Sequence, residues 1–302
     1  MPPAVTARGL VLGVALLGVL PTTVGAQSEL QMWVNPELGK QIPRSEYRFT
    51  YYPDQKVEDQ QTDLGLTEHR LSFFVPLFQD TNDEWGLSAR TRAQLIDTHA
   101  RFPEAGGRFP SELWDASATF SYRHKFDNRW IAGIALTGGS ASDEPFNSWD
   151  EVYYRVVTML LVPHGERNAW IFSLIYASDQ DLFNLNIPFP GIAYVWVPSD
   201  RFRAVIGVPF STIEFKPVEP LTLEAQYFPP RGIRARVTWQ VFQPLRAWVG
   251  FDWDHDKYYR ADRDDKDDKI FYYEGESYSD RKDNRIDVES GPFVVGRVSV
   301  RF

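Results

Sequence analysis

The chain has 302 residues, a formal net charge of −9, no cysteine, and 10 Trp, 14 Tyr and 21 Phe. The missing thiols exclude disulfides and thiolate metal sites, and the acidic balance argues against nucleic acid as a partner, because phosphate binding needs a concentrated basic surface. The mean hydropathy of −0.36 is wrong for a bundle of membrane helices, but a β-barrel hides in it, since alternating lipid-facing and lumen-facing residues cancel in the average.

At the N-terminus Arg8 precedes an apolar run over residues 10–20, then Pro21 and the small-residue site Val24-Gly25-Ala26. That layout predicts a signal peptide, residues 1–26, cleaved after Ala26. The run is too short for a helical anchor, which needs about 20 apolar residues. Residues 27–44 are expected to form a short periplasmic extension and residues 45–302 the barrel.

From Ser45 onward the pattern has period two. Trp85, Leu87, Ala89, Ala93 and Leu95 alternate with Gly86, Ser88, Arg90, Arg92 and Gln94. The same alternation sets Trp114, Ala116, Ala118, Phe120 and Tyr122 against Asp115, Ser117, Thr119, Ser121 and Arg123. Ile233, Ala235, Val237, Trp239 and Val241 interleave with Arg234, Arg236, Thr238 and Gln240. A helix would scatter those arginines onto its apolar stripe, whereas a strand keeps them on one side. Further strands are expected to begin near Tyr47, Leu66, Arg129, Glu151, Ala169, Pro190, Arg201, Leu221, Leu245 and Gly291, with a weaker one from Ser211 to Lys216. The total is about fourteen, with twelve the nearest alternative, which fits the even number of single-chain bacterial barrels. The fold class predicted is all-β, a transmembrane antiparallel up-and-down barrel.

Turns alternate in length, short at residues 79–83, 127–128, 164–167, 198–200, 218–219 and 243–244, longer at 55–65, 99–110 and 141–148. Short periplasmic turns and long outer loops are the outer-membrane arrangement. Trp85, Phe126, Trp130, Trp170, Trp196, Phe202 and Phe242 fall near the short turns, and Trp149, Tyr153, Trp253 and Tyr258 near the other end. These are expected to form the two interfacial girdles, where rings with an apolar body and a polar edge settle.

The last strand ends Gly296-Arg297-Val298-Ser299-Val300-Arg301-Phe302. Val298, Val300 and the terminal Phe302 share one face and are expected to act as the signal read by the barrel-assembly machinery. Together with Tyr194-Val195-Trp196-Val197-Pro198-Ser199-Asp200-Arg201-Phe202 and Ile206-Gly207-Val208-Pro209, this strand resembles an uncharacterised, porin-like family of bacterial outer-membrane β-barrels, a domain of unknown function. The resemblance implies fold and compartment, with outer-membrane lipid and lipopolysaccharide as surroundings. It implies no activity and carries over no functional residue.

The five histidines show no metal-ligand spacing, and no nucleophile elbow, phosphate loop or dinucleotide fingerprint is present. The reading is of a non-enzyme without a cofactor. Arg90, Arg92, Arg123, Arg203, Glu224, Arg234, Arg236, Arg246 and Arg297 fall on polar strand faces, where lipid exposure would cost each arginine about 2–4 kcal/mol at the midplane. They are expected to line the lumen, which is expected to be polar throughout. The charges either bias a water-filled pore towards anions or pair across a narrow barrel and fill it. Residues 259–290 form a long acidic extracellular loop whose carboxylates suit Ca²⁺ or lipopolysaccharide-bridging cations or simply a solvated surface. Three functions follow: a passive pore or transporter for small solutes, a non-transporting cell-surface barrel whose loops bind ions or a partner, or a soluble secreted β-protein.

Overall fold

A computed structural model describes residues 37–102, 108–178, 187–208, 210–228, 232–242, 245–254, 257–262, 270–274, 285–288 and 293–301. The expected signal peptide, most of the N-terminal extension and Phe302 lie outside those residues. The described chain contains seventeen strands. They are β1 (Arg44–Lys56), β2 (Asp63–Gln79), β3 (Asp83–Thr98), β4 (Glu112–Lys125), β5 (Ile131–Ser142), β6 (Val152–His164), β7 (Asn168–Ala177), β8 (Phe189–Ser199) and β9 (Phe202–Val208), followed by β10 (Ser211–Val218), β11 (Leu221–Phe228), β12 (Gly232–Phe242), β13 (Leu245–Asp254), β14 (Lys257–Asp262), β15 (Ile270–Glu274), β16 (Arg285–Asp287) and β17 (Phe293–Arg301).

Strands β1–β13 and β17 make one closed antiparallel barrel in which each strand pairs with its neighbours in sequence. Closure joins the first strand to the last, from Glu46 opposite Arg301 to Tyr51 opposite Gly296. That seam matters because an open edge would leave unpaired backbone groups in hydrocarbon. Most of the expected strand starts, including the weak one at Ser211, fall on a barrel strand; Arg129, Glu151 and Arg201 lie one or two residues ahead of β5, β6 and β9, and Gly291 lies outside the described residues.

The outward face is apolar. Phe73, Val75 and Leu77 of β2, Trp170, Phe172 and Leu174 of β7, Ile192 and Trp196 of β8 and Val237, Trp239 and Val241 of β12 are all exposed. In water such a belt would be an aggregation surface; around a closed barrel it is the lipid-facing band. This disposes of the soluble alternative. Phe126, Trp130, Trp170, Trp196 and Phe242 are exposed beside the short turns, forming one girdle. The other girdle needs a correction: Tyr153 is buried and its hydroxyl donates to Asp115 Oδ1 at 2.8 Å. Its neighbour Tyr154 faces outward instead, so the strand alternates one residue out of step with the expectation.

The wall is uneven. Strands β9, β10 and β11 have 7, 8 and 8 residues, against 17 and 16 for β2 and β3. At about 3.3 Å per residue and a tilt of about 40°, seven or eight residues rise roughly 20 Å and sixteen roughly 40 Å, against an apolar band of about 25 Å. The six short turns align one end of the barrel, so the difference falls at the other, and the loop-end rim is low over β9–β11. Pro209, Pro217, Pro220, Pro229 and Pro230 explain it, since proline cannot donate to a ladder.

Candidate functional site

The lumen is the concave surface of this fold, and its lining differs from one side to the other. On β1–β4 the inward positions are charged and paired largely with the wall itself. Arg48 donates to Glu46 at 2.9 Å, and the Arg70 Nη2 lies 3.0 Å from Glu68 Oε1 as an ion pair. Arg92 lies 3.8 Å from Glu68 and 3.9 Å from Asp115, and Arg90 lies 3.7 Å from Asp115. On β9–β13 Lys216 meets Glu214 at 2.8 Å, Arg236 donates to Glu224, and Arg246 donates to Gln240 at 2.5 Å. Arg203 is opposite Glu214, Arg234 opposite both Gln226 and Asp252, and Arg297 opposite Trp248. Val298 and Val300 are opposite Phe49 and Tyr47 of β1. The pairs run along and between adjacent strands of the wall. None of these ion pairs crosses from one side of the barrel to the other.

Among the described residues Arg123 is the largest fully buried side chain, 1 % exposed. Its Nη2 and Nε donate to Glu84 Oε1 at 2.7 and 3.1 Å. A pair this dry is expensive to break, because the remaining charge is stranded.

On β5–β9 much of the inward face is apolar, with Arg155 and Arg203 as exceptions, which corrects the expectation of a polar lumen throughout. Ile131, Ala135, Met159, Leu161, Ala169, Ile171, Ala193, Val195 and Val205 form one buried cluster, with Val157, Val197 and Phe210 packed against it. The sequence alternation on these strands is apolar on both faces, so periodicity alone does not tell lipid from lumen.

The same cluster includes Leu38, from the segment ahead of β1. Leu38 therefore sits inside the barrel, at its short-turn end. Its neighbours are latched to the β2–β3 turn. Gly39 N donates to Glu84 Oε2 at 3.3 Å, Gln41 N donates to Gln79 Oε1 at 2.9 Å, and Gln79 Nε2 donates back to Gln41 O at 2.8 Å. Gly39 has φ +77°, and a Cβ there would collide with the Asp80 carbonyl, so the latch needs glycine. The Lys40 ammonium, 2.7 Å from Glu37, holds that carboxyl below its ordinary range by hydrogen bond and charge. The extension reads in the sequence as a featureless arm; the structure seats its Leu38 inside the barrel.

The opposite mouth carries a cap. Val57, Leu64, Leu66, Ile96, Ala100, Phe102, Phe109, Leu113 and Val288 form a second buried cluster, with Tyr52 and Tyr272 against it. Val288 and Tyr272 belong to the acidic loop between β13 and β17, where β14 pairs with both β15 and β16. Tyr272 exchanges backbone contacts with Asp143, donating to its Oδ1 at 3.1 Å and accepting from its N at 3.0 Å. The loop thus reaches from β13 across to the end of β5. Among the described residues no group of three His, Asp or Glu side chains comes together as a metal site.

The barrel is of the bacterial outer-membrane kind: closed, antiparallel, even in strand number and apolar outside. No protein-family model matches the chain, and no curated protein matches it. Among solved structures it is similar to outer membrane phospholipase A from Escherichia coli, at 13% identity over 87% of this chain and 98% of that one, TM-score 0.37. It is also similar to the toluene transporter TodX from P. putida, at 9% identity over 87% and 90%, TM-score 0.35. The outer membrane protease OmpT from Escherichia coli follows at 9% identity over 88% and 95%, TM-score 0.20. Two of the three are named as enzymes, which corrects the expectation of a non-enzyme: barrels of this general kind include catalysts, and the missing local motifs exclude no set of residues assembled from distant strands. At such identities and TM-scores the likeness assigns no activity.

Proposed function

We propose that the barrel passes small solutes across the outer membrane and that residues 37–43 close its periplasmic end at rest. The observation that carries this reading is Leu38, seated among inward-facing side chains and held there by the Gly39–Glu84 and Gln41–Gln79 hydrogen bonds. Such a latch is worth about 0.5–1.5 kcal/mol for each neutral hydrogen bond and about 1.5–3 kcal/mol for the one to the Glu84 carboxylate, weak enough to release. A stopper of this kind has a use only where there is a passage to stop. The charged positions Arg90, Arg92, Arg123, Arg203, Glu224, Arg234, Arg236, Arg246 and Arg297 then line one part of that passage, with the short turns in the periplasm.

The test is planar-bilayer conductance of the full-length protein beside Leu38→Asp, which cannot rest in the apolar seat without burying a charge. The native protein should show rare, brief openings and the variant sustained steps. A variant that is folded and heat-modifiable yet gives neither conductance nor solute flux overturns the transport reading in favour of a barrel that acts through its loops.

A further inference from the structure

Resting on the transport reading, we infer that the solute is amphipathic: a hydrocarbon-chain anion whose chain lies on the apolar strip of β5–β9 and whose charged end meets arginine. A passage for hydrophilic solutes has no use for a continuous apolar lining, which sheds water and raises the barrier to hydrated ions. Here the strip runs from Ile131 and Leu161 at the short-turn end, through Met159, Ile171 and Ala193, to Val205 and Phe210 beside the low rim. Its occupant in the closed form is the side chain of Leu38, so the seat already accepts an aliphatic group supplied by the chain itself.

Cations flank the strip. Arg155 lies two residues from Val157 on the inward face of β6, with its guanidinium 5.7 Å from the Tyr153 ring. Arg203 lies two residues from Val205 on β9, opposite Glu214. The facing wall carries Arg48, Arg70, Arg90 and Arg92 against Glu46, Glu68 and Asp115. An alkyl chain with a negative end complements this surface; a positive end does not.

The low rim provides the route. Strands β9 and β10 pair only from Phe202 opposite Phe215 to Val205 opposite Thr212. Above that, Gly207 N donates to Ser211 Oγ and Ser211 Oγ donates to Gly207 O, in place of ladder bonds. The strip therefore reaches the loop-end rim at the height of the outer leaflet, where an amphiphile partitions.

The experiment measures retention of radiolabelled dodecanoate by the full-length protein in phosphatidylcholine nanodiscs, with empty discs subtracted. Saturable binding is expected, weaker by about tenfold or more for dodecyltrimethylammonium and for butanoate. Ile171→Asn and Met159→Gln, each checked for heat-modifiability, should weaken dodecanoate by a similar factor. Leu38→Ala should strengthen it severalfold by vacating the seat. No saturable binding, or binding indifferent to both the strip and Leu38 changes, overturns the proposal. If Leu38→Asp conducts while dodecanoate does not bind, transport stands and the amphiphile falls; binding without conductance or flux has the opposite meaning.

Discussion

At the level of single residues, the Arg123–Glu84 pair and Gly39 do different work in one place. Glu84 uses Oε1 for Arg123 and Oε2 for the Gly39 amide, so the same carboxylate braces the wall and holds the segment ahead of β1. Arg123→Ala strands a carboxylate that is only 3 % exposed and should cost about 3–5 kcal/mol, read as a lower urea midpoint. The double replacement Arg123→Met with Glu84→Leu should recover most of that stability, because the desolvation penalty goes with the charges. Gly39→Ala touches only the latch. It should raise open probability in bilayers while leaving the urea midpoint within about 0.5 kcal/mol of native, as expected for a change outside the barrel wall.

Among the elements, the contrast between the β2–β3 hairpin and β9–β11 sets how the two mouths behave. The tall hairpin rises above the lipid and gives the loops something to pack on, and Phe102, stacked 5.4 Å from Phe109 and tilted against Tyr272 at 5.2 Å, is the centre of that packing. Replacing Phe102 with Ala should loosen the cap alone. Trypsin should then cut faster after Arg101 and Arg108, which pair across this loop, while the barrel core stays protected. Barrel cleavage at the same rate would show that the cap and wall unfold as one unit. Removing residues 263–284 should likewise leave a heat-modifiable barrel, since the wall passes from β13 directly to β17.

For the molecule as a whole, the decisive event is closure by the last strand. Strand β17 supplies both remaining ladders, to β13 and to β1, so the barrel has two open edges until the C-terminus arrives. Phe302 follows that strand directly and its ring adds only roughly 1.5–3 kcal/mol of burial, whereas a chain that is not delivered never closes. Deleting Phe302 should therefore lower the amount assembled in the outer membrane and leave the unfolding temperature of the assembled fraction close to native. Normal amounts with a lower unfolding temperature would make Phe302 a packing residue and not a signal.

Sequence alone determined the barrel strands of this protein, to about fourteen, and the apolar exterior, but not β14–β16 of the acidic loop, because a period of two puts every side chain on one face or the other of a pleated sheet. Arg234 and Arg236, alternating with Ile233, Ala235 and Val237, show it plainly. The same rule fails where both faces are apolar: on β6 and β7 nothing local tells Met159 and Ile171, which face inward, from Phe172, which faces lipid. Length on its own did not reveal the low rim, since the prolines mark where pairing stops but not how high the opposite wall stands. Leu38 is the clearest limit. A lone leucine in a polar arm carries no periodicity, and its seat exists only once five consecutive strands, far along the chain from it, curve round to enclose it.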